Sequence, residues 1–211
     1  MQTRDAILDA AGTLFADRGY RDTSIREICS EADANIAAVN YHFGNKAGLY
    51  REVMDRAYRE LGNQAPMPTL QSAADGRSAL SAWINWYLDR IFGEGSELTS
   101  RLLLREAASP TSALDTLVEE RLHPVYQGLE EIVRALLPEA SNQRVLKLHC
   151  LSILGQCLVH RTSKEMIDRL PVEPRSIMDD RDGLAAHIVS CAIAALDGQK
   201  TTLPADEVAN S

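Results

Sequence analysis

Residues 23–50 read TSIREICSEADANIAAVNYHFGNKAGLY, and the fold follows from this stretch. Ser24 and Glu27 stand at the spacing of a capping box, which predicts a helix with Ile25, Ile28 and Cys29 on its apolar face. Thr23, one residue earlier, is a competing cap. Asp33-Ala34 breaks the pattern, Asn35 can cap a third helix through Phe43, and Asn45 can cap a fourth directly after Gly44. Helices this short gain little from their own hydrogen bonds, so packing must hold them.

On a helical wheel, Ile36, Val39 and Phe43 fall on one side of the third helix and anchor it. Ala37, Ala38 and Tyr41 fall opposite, with Asn40 and His42 on the flanks. Such a face is too small for a metabolite pocket. It suits the DNA major groove, where an Asn pairs bidentately with adenine and an alanine methyl meets the thymine methyl. Tyr41, His42 and Lys46 can reach phosphates, and the helix N-termini at Thr23 and Lys46 offer N–H groups to them. The competing reading is an ordinary helical hairpin, which leaves the exposed Asn-Tyr-His run without a purpose. One position departs from the usual helix-turn-helix: the turn carries Asp33 where glycine is common, and Asp tolerates the left-handed conformation less well.

Upstream, Ile7, Ala10, Ala11, Leu14 and Phe15 follow helical spacing. Gly19 suits the position past that helix, with Tyr20 able to fold back on Phe15. Downstream, GNQAPMPTLQSAADG (residues 62–76) is a linker by its prolines and glycines. Helices are then expected over residues 77–92, 97–108, 112–137, 143–167 and 183–196. Ser112 and Asp115 form a second candidate capping box, and Pro124 should kink the third of these helices near His123. No sustained two-residue alternation marks a strand. The chain is therefore expected to be all-α: a helix-turn-helix domain over residues 1–62, with a linking helix at about 46–62, a helical bundle over 76–198, and a flexible tail over 199–211.

Composition fits this picture: of 211 residues, 45% are hydrophobic and 25% charged, ordinary for a soluble domain. No apolar run approaches the roughly 18 residues that span a bilayer, and residues 1–5 lack a signal peptide's apolar region, so a cytoplasmic protein without membrane contact is expected. The net charge of −8 excludes a uniformly basic coat but not a small DNA-facing patch. A Gly-rich phosphate loop, a His-Glu-x-x-His pair and a Gly-x-Ser-x-Gly elbow are all missing from the sequence, so no enzyme and no cofactor is expected.

The 23–50 stretch resembles the DNA-binding domain of the TetR family of bacterial transcription regulators, through its Tyr-His-Phe run and the Lys three residues beyond the Phe. REAASPTSALD (105–115) and LSILGQCLVHR (151–161) resemble, more weakly, the CecR-like branch of that family. The resemblance implies a homodimer on an inverted-repeat DNA operator, usually a repressor released by a small-molecule effector. For this branch it implies control of transport or drug-export genes. It assigns phosphate contacts to Thr23, Tyr41, His42 and Lys46, and base reading to Ile36, Ala37, Ala38 and Asn40. Ile36 thus has two readings, since the wheel puts it on the core side. Asn40 replaces a Tyr often found there, so the operator sequence cannot be borrowed from relatives.

In the bundle, Trp83, Trp86, Tyr87, Tyr126, His149, Gln156 and His160 are candidates for an apolar effector pocket with a few orienting polar groups, against the plainer reading of core packing. A second alternative makes the protein a helical ligand binder or a metal- or redox-responsive regulator using Cys150, Cys157 and His160. LSILGQCLV and LAAHIVSCAIAAL are apolar over much of their circumference, which calls for cover on more than one side; a second copy is the expected cover.

Overall fold

The computed structural model describes residues 2–60, 65–93, 95–139, 141–171 and 180–202, and all regular structure among them is helical. By packing, the chain divides into two units, Met1–Ala65 with Asp89–Pro124, and Pro66–Leu88 with Val125–Ser211. This division differs from the composition break after residue 62, because residues 89–124 pack with the N-terminal helices.

The first unit begins with α1 (Gln2–Asp22), α2 (Ile25–Glu31), α3 (Ile36–Phe43) and α4 (Lys46–Glu60). Each helix end follows from local chemistry. Gly19 takes a positive φ of 84°, which breaks α1 and lets Tyr20 stack on Phe15 with ring centroids 6.0 Å apart. Ser24 and Glu27 form the expected capping box, Glu27 N–H donating to Ser24 Oγ and Ser24 N–H to Glu27 Oε2. Asn35 Oδ1 accepts from Ala38 N–H at 2.8 Å, and Asn45 Oδ1 from Gly48 N–H at 2.9 Å. Asp33 holds a φ of 46° in the turn between α2 and α3, the one positive φ of a non-glycine among the described residues. Gly48 permits the close meeting of α3 and α4: a Cβ there would lie 2.1 Å from the Phe43 carbonyl oxygen.

Ile7, Ala11, Phe15, Ile28, Val39, Leu49, Tyr50 and Val53 form the core of this unit. The same core takes Leu102 from α6 (Ser96–Ala108) and Leu117 from α7 (Leu114–Leu117). The expected capping box at Ser112 and Asp115 is absent. Thr111 occupies that corner instead, its Oγ1 accepting from Ala113 N–H and its carbonyl from Leu114 N–H. The expected kink at Pro124 takes a definite form. α7 widens into a π-helical turn, Val118–Leu122, in which His123 N–H reaches back to the Val118 carbonyl, before α8 (His123–Leu136) resumes. Proline supplies no N–H to the Glu120 carbonyl and its ring crowds it, so the wider turn accommodates the chain there.

The second unit is built from most of α5 (Gly76–Phe92), α8, α9 (Gln143–Thr162), the short α10 (Lys164–Ile167) and α11 (Arg181–Thr202). Trp83, Ile84, Leu129, Ile132, Val133, Leu146, Cys150, Ile153, Cys157, Ile188 and Ala192 are buried in it. The helix expected over 143–167 is thus two, parting at Ser163. The last helix continues to Thr202, taking in the first four residues of the expected tail, and residues 203–211 lie outside the described ones. No helix among the described residues is long and apolar enough to cross a membrane.

Candidate nucleic-acid interface and bundle residues

α3 is held by two buried side chains, Val39 and Phe43, and presents most of the rest outward. Ala37, Asn40, Tyr41 and His42 are exposed, Tyr41 by 86% of its surface, with the Tyr41 and His42 rings edge to face at 5.0 Å. Ile36 is 45% exposed rather than core, because it occupies the first turn, beyond the reach of the elements that cover Val39 and Phe43. Ala38 turns partly into the core. The structure thus gathers Ile36, Ala37, Asn40, Tyr41 and His42 on one surface.

Thr23 is not on that exposed surface. Its side chain is buried, and its hydroxyl donates to the Gly19 carbonyl at 2.9 Å, with the Leu14 carbonyl at 3.2 Å. The hydroxyl is committed to the end of α1 and fixes the approach to α2. Lys46 is partly engaged too, its ammonium 4.5 Å from the Tyr20 ring centroid and 3.4 Å from the Arg21 carbonyl oxygen. Burial lowers its pKa, against the opposing charges of Asp22 and Glu27. It remains half-buried at the start of α4, where it can still face an anion.

A group that sequence reasoning missed lies behind this surface. Glu106 on α6 is 1% exposed. Its Oε2 accepts from the Tyr50 hydroxyl at 2.8 Å, and its Oε1 from Thr111 N–H at 2.7 Å and Thr111 Oγ1 at 2.9 Å. Burial, the bond to Glu106 and its charge push the Tyr50 hydroxyl pKa well up. Three donors satisfy a carboxylate that would otherwise be costly to bury. Thr99 donates to the Ala57 carbonyl, Tyr58 to the Arg121 carbonyl, and Arg121 pairs with Asp55, so α4 is clasped along its length by α6 and the π turn. The signal was available: Thr99, Leu102 and Glu106 share one helical face, and a carboxylate on a buried face needs donors. A recess of about 370 Å³ lies beside this clasp, lined by His42, Arg51, Asp55, Thr116, Glu120 and Arg121 among others.

The bundle candidates separate into groups. Trp83 is fully buried and stacks on Tyr87 at 5.0 Å, with Trp86 at 6.0 Å, while the Trp83 indole N–H has no acceptor among the described residues. Tyr126 lies against the Cys150 thiol. Gln156 bonds weakly to the Ser152 carbonyl of its own helix, 3.4 Å away. His149 is half-buried, and burial lowers its pKa. Burial lowers the pKa of His160 too, helped by His187 nearby. In the set built on Cys150, Cys157 and His160, both cysteines are buried. Burial raises the two thiols to about 11 and about 12, and among the described residues they belong to no group of three side chains placed to hold a metal.

Comparison with known proteins agrees with this architecture. Residues 7–53 match the family of bacterial regulatory proteins of the tetR type, and residues 77–198 match the C-terminal domain of the HTH-type transcriptional dual regulator CecR. The chain is 27% identical to the CecR dual regulator of Shigella flexneri, over 79% of this chain and 78% of that protein. It is 26% identical to the probable regulator YttP of Bacillus subtilis, over 68% and 67%. Among solved structures, a tetR-family regulatory protein from Rhodococcus RHA1 superposes with a TM-score of 0.67 at 17% identity, covering 93% of this chain and 97% of that one. AibR, solved with isovaleryl coenzyme A and operator DNA, superposes with a TM-score of 0.62 at 22% identity, covering 90% and 97%. At these identities the two structures establish the fold.

Proposed function

This chain belongs to the TetR family of bacterial regulatory proteins and is a DNA-binding transcription regulator with a CecR-type C-terminal region; from that premise we propose that it represses transport or drug-export genes and is released by a small-molecule effector. It binds an inverted-repeat operator as a homodimer, so that two copies of α3 enter successive major grooves. The observation that carries this reading is the outward face of α3, where Ile36, Ala37, Asn40, Tyr41 and His42 stand exposed on a helix with two buried anchors. Asn40 reads a base edge, Ile36 and Ala37 meet thymine methyls, and Tyr41, His42 and Lys46 position the phosphates. The transport-gene assignment rests on the CecR-like resemblance.

Effector binding falls to the bundle, with the Trp83, Trp86 and Tyr87 group as its aromatic wall and Tyr126, His149, Gln156 and His160 as polar candidates. The signal reaches α4 through the π turn, which is continuous with α8 and holds α4 through Arg121, Asp55 and Tyr58. Operator affinity in Arg121→Ala checks this route: unchanged affinity with unchanged amide protection along α4 would remove it.

A gel-shift titration with the gene's flanking DNA, at two salt concentrations, tests the function. Salt-sensitive, sequence-dependent binding is expected. Asn40→Ala should cost about 1–3 kcal/mol and relax preference at one operator position. A uniform loss across sequences would move Asn40 from base reading to the backbone.

A further inference from the structure

The helices α9 and α11 pack against each other in the second unit and turn an uncharged surface outward. Neither residues 148–159 nor residues 183–196 contain a Lys, Arg, Asp or Glu. Within residues 148–159 of α9 the exposed positions are Leu148, Leu151, Ser152, Gly155, Leu158 and Val159. On α11 the exposed stripe runs from Gly183 through Ala186, Ser190 and Ala194 to Gly198, with His187 and Cys191 within it. Leucines left exposed beside small residues fit close apposition of a second helix pair, and a second copy of the same chain supplies the same surface.

His187 and Cys191 stand one helical turn apart on this stripe, with Nε2 and Sγ 3.6 Å apart. A tetrahedral zinc ion with Zn–N of about 2.0–2.1 Å and Zn–S of about 2.3 Å separates its nitrogen and sulfur ligands by roughly 3.5 Å. The contact is a hydrogen bond in this structure, and its length matches the bite of one metal ion. The pair is only half of a site: among the described residues of one chain, no group of three His, Cys, Asp or Glu side chains is placed to hold a metal. The missing ligands have an obvious source. In a two-fold interface, residues at the centre of a self-complementary stripe meet their own copies. Cys191 lies at the middle of the stripe between Gly183 and Gly198, with His187 one turn away.

We propose that the His187–Cys191 pairs of two copies form one tetrahedral Cys2His2 site for a borderline-soft divalent cation such as zinc, bridging the dimer. Each thiol releases its proton on ligation and each imidazole binds through a neutral nitrogen, with no change of oxidation state. The metal chemistry thus sits with Cys191, an exposed thiol, and not with the buried Cys150 and Cys157. A bridging ion would fix the angle between the two copies of α11.

The inference rests on the homodimer of the proposed function, so oligomeric state is measured first on the chelator-treated full chain. The chain is then titrated with cobalt(II), whose visible absorption reports tetrahedral thiolate coordination. One cobalt per two chains is expected, with the dimer dissociation constant tightened by at least about tenfold. Cys191→Ser and His187→Ala should each abolish the absorption, and Cys157→Ser should leave it, with circular dichroism confirming that all three remain helical. A dimer that binds no cobalt, binds one per chain, or binds it unchanged in both variants overturns the metal site and leaves the dimer standing. An interchain disulfide at Cys191 without cobalt binding overturns it equally. A chain monomeric with and without cobalt overturns the dimer as well.

Discussion

The outer face of α3 and the outer face of α9 and α11 are both exposed and partly apolar, yet their chemistry differs. On α3 an amide, a phenol and an imidazole stand among small apolar groups, with Lys46 at the edge. Over residues 148–159 of α9 and 183–196 of α11 the exposed groups are leucines, a valine, alanines, glycines and serines, with His187 and Cys191 the only titratable side chains exposed there. The first face can satisfy polar base edges and phosphates; the second, His187 and Cys191 apart, offers apolar contact. Exposed apolar area marks a partner, and the polar groups within it tell which kind.

The largest effect is expected from breaking the second face alone. Leu151→Glu puts a charge where a second copy should pack, and an unpaired buried carboxylate should cost the dimer about 3–5 kcal/mol. Sedimentation equilibrium would read this as a shift toward monomer with helix content unchanged. A variant as dimeric as the parent would show that α9 is not at the interface.

Breaking the first face from behind should cost less. Gly48→Ala forces a methyl against the Phe43 carbonyl oxygen, backbone that cannot move without shifting the end of α3. A loss of about 2–3 kcal/mol is expected in denaturant unfolding, with weakened operator binding and intact dimerisation. Tyr50→Phe acts more mildly. It leaves Glu106 with the two donors of Thr111 and should cost about 1.5–2 kcal/mol. If the Tyr50–Glu106 bond also sets the position of α4, operator affinity falls beyond what lost stability explains.

The smallest change sharpens the comparison in the other direction. Asp33 holds a left-handed conformation that glycine adopts without strain. Asp33→Gly should raise the melting stability by up to about 1 kcal/mol, the relief offset in part by the glycine's greater freedom when unfolded. Sequence preference for the operator should not move, since the exposed face of α3 is untouched.

Much of the first unit was legible because its signals are local. Ser24, Asn35 and Asn45 cap their helices as their spacing implies, and Gly19 and Asp33 take the positive φ values that their positions demanded. The misreadings were of residues whose surroundings come from elsewhere in the chain. A wheel puts Ile36 with Val39 and Phe43 but cannot show that its turn lies beyond the covering helices. Thr23 has the look of a cap until α1 supplies carbonyls for its hydroxyl. Ser112 and Asp115 had capping spacing, yet the Glu106–Thr111 network shaped that corner instead.

The sequence by itself determined the all-α class, the position of the helix-turn-helix and the residues of its outward face, because caps, turns and 3.6-residue periodicity act over a few neighbouring residues. Only the tertiary structure decided that α6 and the π turn belong with the N-terminal helices, that Glu106 is buried under Tyr50 and Thr111, and that the turn of α11 carrying His187 and Cys191 stays exposed with His160 near His187. Those facts depend on which distant segments exclude water from which side chains, and burial of that kind is a property of the packed chain.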